Sequence, residues 1–149
     1  MSDNRTDLSR LTASVAPVFR KDPRIAAAYL FGSRATGDAG AESDTDLAIL
    51  ISPGDAEHFS LEDELRIEAE LSLVLRTDKV DVVLLNRSAL PLAFKVIAEG
   101  KLLYEVEPIA TMDFVERTLV QYFDFVPTLQ DYYQEYDRSL REEFSRAGS

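Results

Sequence analysis

The chain has 149 residues, 46% of them hydrophobic and 29% charged, which is enough apolar content for one globular domain and too little length for a separate substrate-binding domain. Its 27 acidic against 16 basic residues give a formal charge of −11, which repels a phosphate backbone and argues against direct nucleic-acid binding. Cysteine is absent, so disulfides, thiolate zinc sites and a cysteine nucleophile are excluded, and any chemistry falls to oxygen ligands, hydroxyls or the one histidine, His58.

The first ten residues are polar and contain no apolar signal core, and no later run reaches the roughly 20 apolar residues of a membrane span. The expectation is a cytoplasmic protein that makes no membrane contact. Leu8, Leu11, Val15, Val18 and Phe19 recur at three- and four-residue spacings, which predicts an amphipathic helix ending near residues 21–23. Residues 25–31 (IAAAYLF) are a short apolar run and predict a strand. Gly32, Gly37 and Gly40 then predict a turn-rich loop. A second strand is expected at 44–52 (DTDLAILIS), bounded by Pro53 and Gly54. Residues 57–75 favour a helix whose acids, Glu62, Asp63, Glu64, Glu68 and Glu70, read as a solvated face. His58, at its start, reads as a surface residue. A third strand at 79–86, a helix at 89–99 stopped by Gly100, and an edge strand at 102–106 complete an α/β or α+β unit over residues 1–106.

From residue 107 to 149 the pattern becomes one long helical extension, with Val115, Leu119, Tyr122, Val126, Leu129, Tyr133, Tyr136 and Leu140 at helical intervals. Pro127 is expected to kink or split it. Eight of the 14 aromatics lie in this extension, more than one helix usually spends on covering a small sheet. It is expected to pack on the core, to bind a partner, or to do both, and a homo- or hetero-oligomer is compatible with it.

The chemistry concentrates in Gly32-Ser33-Arg34-Ala35-Thr36-Gly37 and in Asp44-Thr45-Asp46. Successive strand side chains point to opposite faces, so Asp44 and Asp46 project to the same side. Paired carboxylates with no His or Cys nearby select a hard cation, Mg²⁺ or Mn²⁺, completed by water and phosphate oxygens. Asp81 is the candidate third ligand, because Val80, Val82 and Leu84 share one face of its strand and Asp81 takes the other. Rival motifs fail on the letters. A Walker loop needs Lys-Ser or Lys-Thr after Gly37, an EF-hand needs Gly at Ile49, a dinucleotide loop needs Gly at Arg34, and a zinc-protease helix needs two histidines.

A strand ending in Gly-Ser, ten intervening residues, Asp-x-Asp, and a single Asp on a later strand together resemble the DNA polymerase beta-like nucleotidyltransferase superfamily over residues 25–86. The small size and aromatic C-terminal helix are similar to the minimal MntA-type antitoxins, which are encoded with a HepT-type HEPN ribonuclease toxin. The resemblance implies a small mixed sheet flanked by helices. It further implies AMP transfer from ATP to a toxin tyrosine, with Gly32 and Ser33 holding the triphosphate, Arg34 as a further phosphate contact, and Asp44, Asp46 and Asp81 as catalytic metal ligands. Two other functions remain open at this point: an antitoxin acting by occlusion alone, and transfer to a small molecule such as an aminoglycoside.

Overall fold

The computed structural model describes residues 3–37 and 44–147 of the chain. Helix α1 (Asp3–Arg20) leads into β1 (Ile25–Phe31), whose three consecutive alanines let both faces of the strand be covered closely. A single helical turn, α2 (Ser33–Thr36), follows where the sequence predicts a loop, and Gly37 ends it in the left-handed conformation. Then come β2 (Thr45–Ile51), α3 (Leu61–Leu75), β3 (Val80–Leu84), α4 (Leu90–Glu99), β4 (Lys101–Glu105) and α5 (Pro108–Ala147). Gly40, Glu42 and Ser43 lie outside the described residues, as do the side chains of Leu129, Tyr132, Tyr133, Tyr136, Leu140 and Phe144.

The strands form one mixed sheet in the order β3-β2-β1-β4. β1 is antiparallel to both β2 and β4, while β2 and β3 run parallel, as the intervening α3 crossover requires. One face of the sheet is covered by α1 and α3, where Val15, Phe19, Leu47, Ile49, Ile67 and Leu71 are buried together. The other face carries Ala27, Tyr29, Ala48 and Leu50 and is covered by Val96 and Leu92 of α4 and by Ala110 and Phe114 of α5. Small residues on this face bring the two helices close to the strands. Alternation along β2 therefore sends Thr45, Leu47 and Ile49 to the α1/α3 core and Asp46, Ala48 and Leu50 to the α4/α5 side.

Two helix boundaries differ from the sequence expectation. The helix expected at 57–75 begins instead at Leu61, because Ser60 caps it and residues Ala56–His58 form a separate 3-10 turn. Phe59, fully buried, separates the two. At the other end of the chain, α5 runs unbroken through Pro127 for 40 residues, about 60 Å. A proline removes its own amide from the ladder and crowds the carbonyl one turn back, and here this does not split the helix.

The acids of α3 are more than a solvated face. Asp63 accepts the Ser60 backbone N–H at 2.9 Å, and guanidinium groups of Arg24 (3.2 Å) and Arg66 (2.6 Å) donate to it. That set, the Ser60 N–H foremost, holds its carboxyl well below the usual carboxylate range. Glu68 accepts the Val82 N–H at 3.1 Å and so ties the helix to β3.

Candidate active site

The carboxylates meet where β1, β2 and β3 end on the α4/α5 side. Register alone explains the meeting: Asp46 is the partner of Phe31 across the β1/β2 ladder and of Asp81 across the β2/β3 ladder. Directly paired residues on neighbouring strands project to one face, so the two acids stand side by side. Asp44 lies one residue before the first ladder pair, Thr45 with Val80, and is exposed. Among the described residues no three His, Cys, Asp or Glu side chains stand close enough to clasp an ion together. The strands thus hold Asp46 and Asp81 as a pair, with Asp44 nearby but not fixed by the sheet.

Asp46 is half-buried and its carboxyl is pushed above the ordinary value, first by burial and then by the negative charges of Asp81 and Asp44. Lys95 acts in the opposite direction. A negatively charged, oxygen-only pair of this kind suits a hard divalent cation, which takes one or two protein carboxylates and completes its shell with water and phosphate.

Gly32 closes the site from the β1 side. Its φ of +77° lies in the region that glycine tolerates best, and a Cβ built on it would meet Asp46 Oδ2 at 2.3 Å. Any side chain here would strain the turn and displace the carboxylate. Ser33 follows as the first residue of α2, where the N–H groups of Ala35 and Thr36 donate to the Gly32 carbonyl. The turn therefore starts beside Asp46 at Gly32, with Ser33 as the next residue in the chain.

Arg34 is exposed, and its guanidinium donates to the Thr45 hydroxyl at 2.5 Å. Thr45 is only 2% exposed and its N–H donates to the Lys79 carbonyl. Arg34 thereby fastens the Gly-Ser turn to the start of β2. Lys95 is the residue that sequence reasoning missed. It stands on α4 between Leu92 and Val96, which pack on the site-bearing face of the sheet. The available signal was that Lys95 is the only basic residue in a ten-residue helix that is apolar apart from it and the terminal Glu99. His58 is exposed on the 3-10 turn, remote in the chain from the acid pair.

A cleft of about 300 Å³ between α1 and α3, lined by Lys21, Arg24, Arg66 and Glu70, lies on the opposite layer. Its charges are spent on one another, Arg24 on Asp22 and Asp63, Lys21 on Glu70. It is a structural ion network. Arg24 also lies 4.6 Å over the ring of Phe59.

A chain with this sheet and these carboxylates has known relatives. Residues 14–108 match the family model "Polymerase beta, Nucleotidyltransferase". Protein adenylyltransferase MntA of Aphanizomenon flos-aquae (strain 2012/KM1/D3) is 33% identical over 129 residues, covering 80% of this chain and 83% of that protein. The fold is shared with the structure of a toxin-antitoxin with AMP-PNP at TM-score 0.70 and 22% identity, over 83% of this chain and 96% of the other. It is shared also with a tri-AMPylated Shewanella oneidensis HEPN toxin in complex with MNT antitoxin, at TM-score 0.66 and 20% identity, over 86% and 97% of the two chains. Among the described residues no helix is long and apolar enough to cross a membrane. With the family model spanning well over half of its length, and the Gly-Ser turn facing paired carboxylates, this chain belongs to the polymerase beta nucleotidyltransferase family.

Proposed function

We propose that this protein is a cytoplasmic antitoxin that transfers AMP from ATP to a tyrosine hydroxyl of a HepT-type HEPN ribonuclease toxin. The observation that carries the reading is the lateral pairing of Asp46 with Asp81 directly against the Gly32-Ser33 turn. The relative named protein adenylyltransferase supports AMP as the group and a protein as the acceptor.

In this reading Gly32 and Ser33 hold the triphosphate through a backbone N–H and the hydroxyl, and Arg34 braces the turn against Thr45. Asp44, Asp46 and Asp81 would hold Mg²⁺ or Mn²⁺, which would neutralise triphosphate charge and lower the pKa of the attacking hydroxyl. The toxin's tyrosyl oxygen attacks the α-phosphorus of ATP and the bond to the β-phosphate oxygen breaks. A tyrosyl-AMP ester and pyrophosphate result. The phenolic proton passes to the Asp81 carboxylate, which is exposed to solvent. Lys95 adds a positive charge on the α4 side, where an acidic molecule of charge −11 most needs one to accept a nucleotide.

The test is incubation of the purified protein with ATP labelled at the α-phosphate, Mg²⁺ and a HepT-type toxin. Label should appear on the toxin, disappear on chelation of the metal, and form about 10²-fold more slowly with Asp81→Asn. A toxin left unlabelled by the wild type, or labelled at the wild-type rate by Asp46→Asn, overturns the reading.

A further inference from the structure

Helix α5 is apolar on two opposite sides. At about 100° per residue, Thr111, Phe114, Thr118 and Tyr122 share an arc of about 80°. This side meets the molecule: Thr111 and Thr118 are buried, Phe114 packs on the sheet, and the Tyr122 ring stacks on Phe94 of α4 at 3.7 Å and 2°. Ile109, Met112, Val120 and Phe123 share a second arc of about 80° centred on the reverse side. They are 76%, 69%, 56% and 62% exposed. A helix that covers a single body needs one apolar stripe, and a second one facing water marks a contact with another body.

Position and charge identify that body. Phe123 lies edge-on to Phe94, 6.3 Å between ring centroids, and Phe94 immediately precedes Lys95, the cation that acts on Asp46. The stripe therefore touches α4, the helix whose Leu92 and Val96 cover the side of the sheet on which the carboxylates stand. A protein seated on it lies on the same side of the sheet as the carboxylates, the side on which an acceptor hydroxyl has to arrive. Glu116 lies within the stripe and Asp113 and Asp124 border it, all exposed, against one cation, Arg117. A complementary surface is apolar with a basic rim. A second copy of this chain is a poor match, since it would bring acid onto acid between two molecules of charge −11.

We infer that the outward face of α5, from Ile109 to Phe123, is the docking surface for the protein that receives the nucleotidyl group, a partner whose apolar contact area is edged with Lys or Arg. The inference rests on the reading of the site as a protein-modifying one and adds where the acceptor is gripped. Its energy comes from the apolar anchors, with Phe123 central because an aromatic ring next to a second aromatic cluster is the kind of residue that dominates interfaces.

Two variants separate docking from folding: Val120→Asp/Phe123→Asp, and Ile109→Asp/Met112→Asp, the latter free of the aromatic contacts to α4. With the HepT-type toxin as probe, both should retain the wild-type melting temperature and the affinity for a fluorescent ATP analogue. Toxin affinity should fall about tenfold or more, and KM for toxin should rise with kcat at saturating toxin unchanged. Toxin affinity within twofold of wild type in both variants overturns the inference while leaving the transferase reading intact, as does a homodimer of the chain alone that these substitutions dissociate. Loss of toxin binding in the variants, with no labelling by the wild type, upholds the surface and sinks the transferase reading.

Discussion

Asp46 is the side chain in which fold and chemistry compete. Burial, then Asp81 and Asp44, push its carboxyl upward from 3.8, so the folded state holds the proton more tightly than the unfolded chain does. Such a group lowers stability as pH rises from the unfolded value through the raised folded one, and the loss is complete above both. Asp46→Asn should therefore melt higher than wild type at neutral pH, with the advantage shrinking as pH falls toward the unfolded value and vanishing once both states carry the proton. Thermal scans of the two proteins between pH 3 and 8 in the presence of a chelator check this; a constant offset across the range would refute it. Strand alternation, a local rule that needs no knowledge of neighbours, singled out Asp44 and Asp46 in the sequence, but β2 begins at Thr45, so the strand holds only Asp46. The sequence revealed Asp81 only as a candidate, since the Asp46–Asp81 pairing depends on the β2/β3 register. Lys95 was hidden, because its nearness to Asp46 comes from a helix packing across the sheet.

At the scale of elements, the capping of α3 shows what a short sequence signal can carry. Ser60 and Asp63 form a reciprocal box: the Ser60 hydroxyl accepts the Asp63 N–H at 3.1 Å and Asp63 accepts the Ser60 N–H. The Arg87 guanidinium meanwhile donates to the carbonyls of Ala56 and Phe59, securing the 3-10 turn that precedes the helix. The helix propensity of residues 57–75 conceals this break, which the Ser60 cap, the buried Phe59 and the distant Arg87 together impose. Ser60→Ala removes one half of the box and leaves Asp63 without its hydroxyl partner. It should cost about 1 kcal/mol in urea denaturation. The rate of nucleotidyl transfer should stay unchanged, because α3 packs on the sheet face opposite Asp46. A stability change under a few tenths of a kcal/mol would show that the Arg24 and Arg66 contacts to Asp63 hold the helix start by themselves. The continuity of α5 across Pro127 carries the complementary lesson. An interior proline need not end a helix, and the periodic pattern after residue 127 was the stronger signal.

For the molecule as a whole, strand order was the least legible feature. Length and periodicity supplied the elements, but β1 in the middle of the sheet, flanked by β2 and β4, follows from pairings between segments far apart in sequence. Net charge, by contrast, is a whole-molecule property that the sequence states outright, and it bears on how fast a partner is found. A surface of charge −11 attracts a basic-rimmed protein over several ångströms to tens of ångströms at low salt, and this steering shortens to a few ångströms as ionic strength rises. Contacts made by Ile109, Met112, Val120 and Phe123 are apolar and are not screened. Association with the HepT-type toxin should consequently slow by about tenfold or more between roughly 0.05 and 0.5 M salt, with the dissociation rate much less affected. Stopped-flow mixing across that range measures both rates. An association rate independent of salt would mean that the acidic surface plays no part in partner capture, and would remove charge as a reason for choosing a basic-rimmed acceptor over a second copy of this chain.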